Sequence, residues 1–186
     1  GFLVLDPTRD VLRQRLEGLL RDATRQTQVI VTLFAHAMTG GDDRVYLLPQ
    51  EARSGDPAAT GIALDEIAAA FNACPSADKF LLIECPPAGS VIDPERMIVG
   101  PALLDKLKTK FTSTTVIISC GNKQQNRVVP ETQAGFFGTM LNEAFKGAAD
   151  IDRDIHITPQ ELGDFLKSAS AESASKLGGA QTPVVV

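Results

Sequence analysis

Lys79–Gly89 reads KFLLIECPPAG. Phe80 to Ile83 and Cys85 form an apolar run interrupted only by Glu84, and Pro86, Pro87 and Gly89 then break it. A short continuous apolar run between breakers predicts a strand buried on both faces, as in the interior of a parallel sheet. Open α/β sheets place their chemistry at the tips of such strands. This tip carries an acid, a thiol and two prolines.

The segments on either side fit the same architecture. Asp6-Pro7-Thr8 ends a short apolar stretch, Phe2–Leu5, that reads as a strand, and Asp6 or Thr8 can cap the helix that follows. Val11, Leu12, Leu16, Leu19 and Leu20 recur at helical spacing through about Arg21. Gln28–Phe34 (QVIVTLF) is β-branched and apolar, a second buried strand. Gly40-Gly41-Asp42-Asp43 is a turn, Arg44–Leu48 a return strand, Pro49–Thr60 a polar linker and Leu64–Phe71 a helix. Beyond the Lys79 strand, Pro86–Glu95 is a loop, Ala102–Leu107 a short helix, Thr114–Cys120 a further buried strand and Gly121–Thr132 polar and strand-free. Ala134–Phe145 is helical, with Phe136, Phe137, Met140, Leu141 and Phe145 on one broad face. The last helix starts after Thr158, with Pro159 at its first position and Leu162, Phe165 and Leu166 as its apolar stripe. Residues 168–180 are rich in Ala, Ser and Gly and read as a mobile linker before an edge strand at Pro183–Val186. Strands alternating with helices predict one α/β domain over 1–186, with helices on both faces of a mostly parallel sheet.

Composition narrows the partners. The chain has 186 residues, 44% hydrophobic and 22% charged, with a net charge of −5. That balance argues against nucleic acid, which needs clustered Lys and Arg, and no run is long enough to span a membrane. Cys74, Cys85 and Cys120 are three and unevenly spaced, which favours reduced thiols in a cytoplasmic setting over disulfides or a zinc site. No metal or cofactor is expected. The chain opens on Gly1 rather than Met, which suggests a trimmed sequence.

His36 follows the QVIVTLF strand and Cys85 ends the KFLLIE strand. In a parallel sheet the two tips share one edge, so an imidazole and a thiol come within reach of each other. A Cys–His pair is the minimum for thiolate catalysis, and Glu84 beside it can hold a cationic substrate side chain. The commoner fates of such residues are a loop histidine and a small buried hydrophobe.

Several motifs in order resemble the caspase/metacaspase-like (C14-type, clan CD) cysteine peptidase domain. They are Phe34-Ala35-His36-Ala37, Tyr46-Leu47-Leu48-Pro49, Leu81 to Gly89, Val116 to Cys120, Ala134 to Leu141, Ala149 to Leu162 and Gln181-Thr182-Pro183. The resemblance implies a caspase-like three-layer fold lacking the family's first strand and helix, with one sheet edge left open for a partner or for self-association. It places His36 on the catalytic histidine and Glu84 on the substrate-binding acid. It also puts Pro86, which has no thiol, where the nucleophile belongs, and alanines at 35 and 37 where the family has glycines.

Cys85 is one residue early, and alternation along a strand turns its sulfur to the other face. The expectation is therefore a catalytically degraded pseudoprotease that binds a protein or peptide partner. The alternative is an active endopeptidase with a Cys85/His36 dyad that cleaves after a basic residue. A weaker one is a calcium-sensing module. Asp150, Asp152, Asp154 and Glu161 stand at positions one, three, five and twelve of an EF-hand loop, but Ile155 replaces the glycine at position six.

Overall fold

The protein is described by a computed structural model covering residues 1–85, 101–121, 124, 126–129, 135–176 and 180–186. The predicted loop Pro86–Glu95, with Pro86 at the nucleophile position, lies outside these residues.

The main sheet is built from β1 (Gln28–Phe34), β5 (Asp78–Glu84), β6 (Thr115–Ile118) and β7 (Val184–Val185), hydrogen-bonded in that order. The first three run parallel, with Phe34 opposite Glu84 and Ile83 opposite Ile118, and β7 closes the far edge antiparallel. Because β5 is flanked on both sides, all its residues after Asp78 are buried, as its unbroken apolar sequence requires. A smaller antiparallel sheet contains β2 (His36–Thr39), β3 (Val45–Leu48) and β4 (Ile62–Ala63).

Two helical layers enclose the main sheet. On one face α1 (Arg9–Arg21), α3 (Leu64–Ala73) and α4 (Pro101–Lys110) contribute Leu16, Leu20, Ile67, Phe71, Leu103 and Leu107. These pack on Val29, Val31, Leu81, Ile83, Val116 and Ile118. On the other face α5 (Phe136–Glu143) and α6 (Pro159–Lys176) set Phe137, Leu141, Leu162 and Leu166 against Phe80, Leu82 and Ile117. Odd residues of β1 and β5 thus serve one core and even residues of β5 the other, the period of two dividing a single strand between both layers. This is a mixed α/β fold with a mostly parallel central sheet flanked by helices.

Several predicted elements change on folding. Phe2–Leu5 forms no strand; Phe2, Leu3 and Leu5 are exposed and the Phe2 ring lies beneath the Arg15 guanidinium. Thr8 caps α1 as expected, accepting from the Val11 N–H at 3.4 Å. The polar linker holds a one-turn helix, α2 (Pro57–Thr60), capped by Asp56. The predicted mobile linker starts inside α6, which continues through Lys176. Phe145 leaves the predicted apolar face because the chain widens into a π-helical turn at Ala144–Ala148, and its ring is 47% exposed.

Leu82 sits at the centre of β5 with no solvent exposure. Leu82→Ala is expected to destabilise the fold by roughly 3 kcal/mol in denaturant unfolding, through lost burial plus a residual cavity. A loss below about 1 kcal/mol would show that this layer is not close-packed.

Candidate functional site

The β1–β5 pairing runs to the last residue of both strands, and beyond it the Ala35 N–H donates to the Glu84 carbonyl at 3.1 Å. His36 and Cys85, each leaving its strand just past this bond, therefore emerge at the same sheet edge. His36 is the first residue of β2, half-buried and opposite Leu48, rather than a loop residue. Neither Ala35 nor Ala37 takes a positive φ, so replacing glycine by alanine costs nothing in backbone strain at this turn.

Cys85 points into the layer formed with α1, α3 and α4, continuing the odd series of Leu81 and Ile83, and is 5% exposed. Burial pushes its thiol up to about 12, with the nearby Cys120 and Glu84 adding to the rise. Such a thiol stays protonated at neutral pH. Cys120, past the end of β6, is also fully buried, its thiol raised to about 11 chiefly by burial. Cys74 is free and buried as well.

Glu84 belongs to the even series and faces the opposite layer. Its carboxylate meets the first turn of α5 and accepts the Gly138 N–H at 3.0 Å. A helix N-terminus offers free N–H groups and a positive dipole end, so an acid is a natural cap there. Gly135 and Gly138 make the approach possible. A Cβ on Gly135 would collide with the Glu84 carboxylate, and one on Gly138 would lie 3.0 Å from the Phe34 ring. The carboxylate is 2% exposed, and burial outweighs the Gly138 and Phe137 N–H groups, raising it to about 7. The acid that the sequence places in a substrate pocket is committed to a helix end.

The sequence gives little sign of a second buried polar group behind this edge. Gln181 is fully buried; its amide donates to the Ser119 carbonyl at 3.2 Å and to Asn126 Oδ1 at 3.1 Å, and its oxygen accepts the Arg127 N–H at 2.7 Å. Gln124 Oε1 accepts the Gly121 and Thr182 N–H groups at 3.0 and 2.7 Å. Together they tie the C-terminal segment to the tip of β6. The only signal in the sequence was Gln181-Thr182-Pro183, noted as part of the resemblance.

The calcium-like spacing forms a compact turn in which ligand atoms of Asp150, Asp152 and Asp154 lie within 4.8 Å of one another. These carboxylates accept the loop's own N–H groups: Asp150 from Asp154 and Ile155, Asp152 from Asp154, and Asp154 from His156. Ile155 holds φ +67° at the position where a glycine would fit without strain. Glu161 and Thr158 form a capping box for α6, the Thr158 N–H donating to Glu161 at 2.9 Å and the Glu161 N–H to Thr158 Oγ1 at 3.2 Å. These bonds to Thr158 hold the Glu161 carboxyl below the usual range. The turn thus has a structural account without an ion.

The sequence matches no protein-family model and no curated protein. Solved structures do resemble the fold. Pro-sf-caspase-1 aligns over 100% of this chain and 72% of its own, at 15% identity and a TM-score of 0.59. Protein GSU0716 from Geobacter sulfurreducens aligns over 96% of this chain and 72% of its own, at 11% identity and a TM-score of 0.56. Among the described residues no helix is long and apolar enough to cross a membrane.

A buried acid raised from 4.5 to about 7 favours folding below pH 4.5, and that contribution is lost as pH climbs through 7. The Glu84 share of this loss is on the order of 3 kcal/mol. Glu84→Gln should therefore be more stable than the wild type at pH 8 and should flatten the stability profile between pH 5 and 7. A variant less stable at pH 8, with an unchanged profile, would contradict the assignment.

Proposed function

We propose that this caspase-like domain is a pseudoprotease, a non-catalytic module that binds or regulates through a protein or peptide partner. The observation that carries this proposal is the setting of Cys85, whose sulfur is packed among aliphatic side chains on the face of β5 opposite Glu84. A nucleophilic cysteine needs thiolate character and access, and burial removes both. Glu84 supports the same view, because an acid that caps α5 and is raised to about 7 is poorly suited to hold a basic P1 side chain. Pro86, at the expected nucleophile position, has no thiol. Three reduced, buried thiols suit a cytoplasmic setting.

One observation favours the second possibility, an active cysteine endopeptidase with a Cys85/His36 dyad. The β1–β5 register brings both residues to one sheet edge. Activity would then require Cys85 to leave the core and Glu84 to leave the α5 N-terminus.

The two are separated by a thiol-directed covalent peptide probe carrying a basic P1 residue, followed by mass spectrometry of the intact folded protein. The pseudoprotease is expected to leave Cys85 unmodified. Stoichiometric labelling at Cys85 that His36→Ala abolishes would establish the peptidase instead.

A further inference from the structure

The tips of β5 and β6 carry thiols in matching positions. In the parallel pairing of these strands Ile83 stands opposite Ile118, and the Ser119 N–H donates to the Ile83 carbonyl at 2.9 Å. That bond carries the ladder one residue past Ile118. Two residues beyond Ile83 and Ile118 along their chains come Cys85 and Cys120. Ile83 and Ile118 both face the layer of α1, α3 and α4, and a step of two returns each side chain to the same face. Cys85 lies in that layer, and Cys120 has no solvent exposure. Each thiol is thus the other's neighbour across the strands. Electrostatics agree: burial raises the Cys85 thiol most, and the nearby Cys120 is the next cause.

Opposed residues on neighbouring strands have Cα atoms about 4.8 Å apart, inside the span of about 4.4 to 6.8 Å that a disulfide bridges. The remaining thiol is held away from both. Cys74 ends α3, and its carbonyl accepts from Lys79 Nζ at 3.3 Å. Lys79 lies near the start of β5 and Cys85 just past its end, roughly 20 Å apart along an extended strand. Along the chain, however, Cys74 is much nearer to Cys85 than Cys120 is. An unfolded chain closes the shorter loop more readily, whereas the fold brings the more distant pair together.

We propose that Cys85 and Cys120 form a redox-responsive dithiol, which closes to a disulfide by exchange with a low-molecular-weight disulfide and locks the tip of β5 to that of β6. One protein thiolate attacks a sulfur of the small disulfide and expels its other half as a thiolate. The second protein thiolate then attacks the protein sulfur of this mixed disulfide and expels the remaining half. The pair loses two electrons and two protons, and the small disulfide is reduced to two thiols. Because both thiols are buried, exchange begins when the layer opens, and the bond is set as it closes. Opposed Cβ atoms start wider than the mean of about 3.8 Å in a disulfide, so closure draws the tips together, and a bond made under such strain is readily reopened by thiols. The inference is independent of whether Cys85 is catalytic.

Equilibration of the full chain with mixtures of glutathione disulfide and reduced glutathione, followed by acid quenching and peptide mapping, tests the proposal. The folded chain should lose two hydrogens and give one crosslinked peptide pair, Cys85 with Cys120, while Cys74 stays a thiol. Excess reductant should restore the starting mass. The oxidised chain should keep its circular dichroism spectrum and unfold at a higher urea concentration than the reduced chain. In strong urea the same mixtures should shift the bond toward Cys74 and Cys85. Cys74→Ala should oxidise like the wild type, and Cys120→Ala should form no intramolecular bond while folded. A folded chain that stays reduced at every glutathione ratio would overturn the proposal, as would glutathione left attached at Cys85 or Cys120. So would a bond to Cys74 under native conditions, or a Cys85–Cys120 bond that forms equally well in urea or only with loss of the native spectrum.

Discussion

The Glu84 carboxylate against the first turn of α5 holds the two sides of this molecule in relation to each other. It joins the tip of the central strand to the helix that opens the second layer, and it does so only because Gly135 and Gly138 leave room for it. The contact is costly, since a buried acid loses its water, and that loss raises its pKa. The return is geometric, because with Glu84 fixed on the α5 side the next residue of an extended chain must face the other way. Cys85 then falls in line with Leu81 and Ile83, inside the layer built by α1, α3 and α4.

The same alternation governs the rest of the fold. β5 supplies both cores at once, which is why its sequence is apolar almost throughout, while β1 supplies one core and leaves its even residues at a bare edge. A caspase-like arrangement of layers follows from these strands and their parallel pairing, and the solved structures that resemble it share the fold at low identity. Low identity carries the architecture and not the chemistry. The chemistry has to be read from the tips, where the thiol is buried and the acid meets the first turn of α5.

Much of the fold was legible because its signals are local. The apolar runs of β1, β5 and β6 gave the sheet, Asp6 or Thr8 marked the start of α1, and Thr158 and Pro159 marked that of α6, where the structure adds a capping box with Glu161. Phe2–Leu5 has strand composition but pairs with no strand among the described residues, and composition alone cannot supply a partner. The small residues after Ser168 suggested a linker, yet alanine and serine tolerate a helix whose start is already anchored by Leu162 and Leu166. At the site, alternation along β5 puts Cys85 and Glu84 on opposite faces of the strand. What was not legible was the engagement of Glu84 with α5, since nothing in KFLLIE says which helix end will meet its acid. The Gln181 network was equally hidden, because it joins segments more than fifty residues apart.

The central claim is that the Cys85 sulfur is shut inside the sheet–helix layer in the folded state. Native-state alkylation by iodoacetamide, followed site by site by mass spectrometry, measures this directly. Cys85 should react only as fast as the whole domain unfolds, in step with Cys74 and accelerated by urea to the same degree. Rapid alkylation of Cys85 alone at neutral pH, insensitive to low urea, would mean that the thiol is presented to solvent and that this account of the site is wrong.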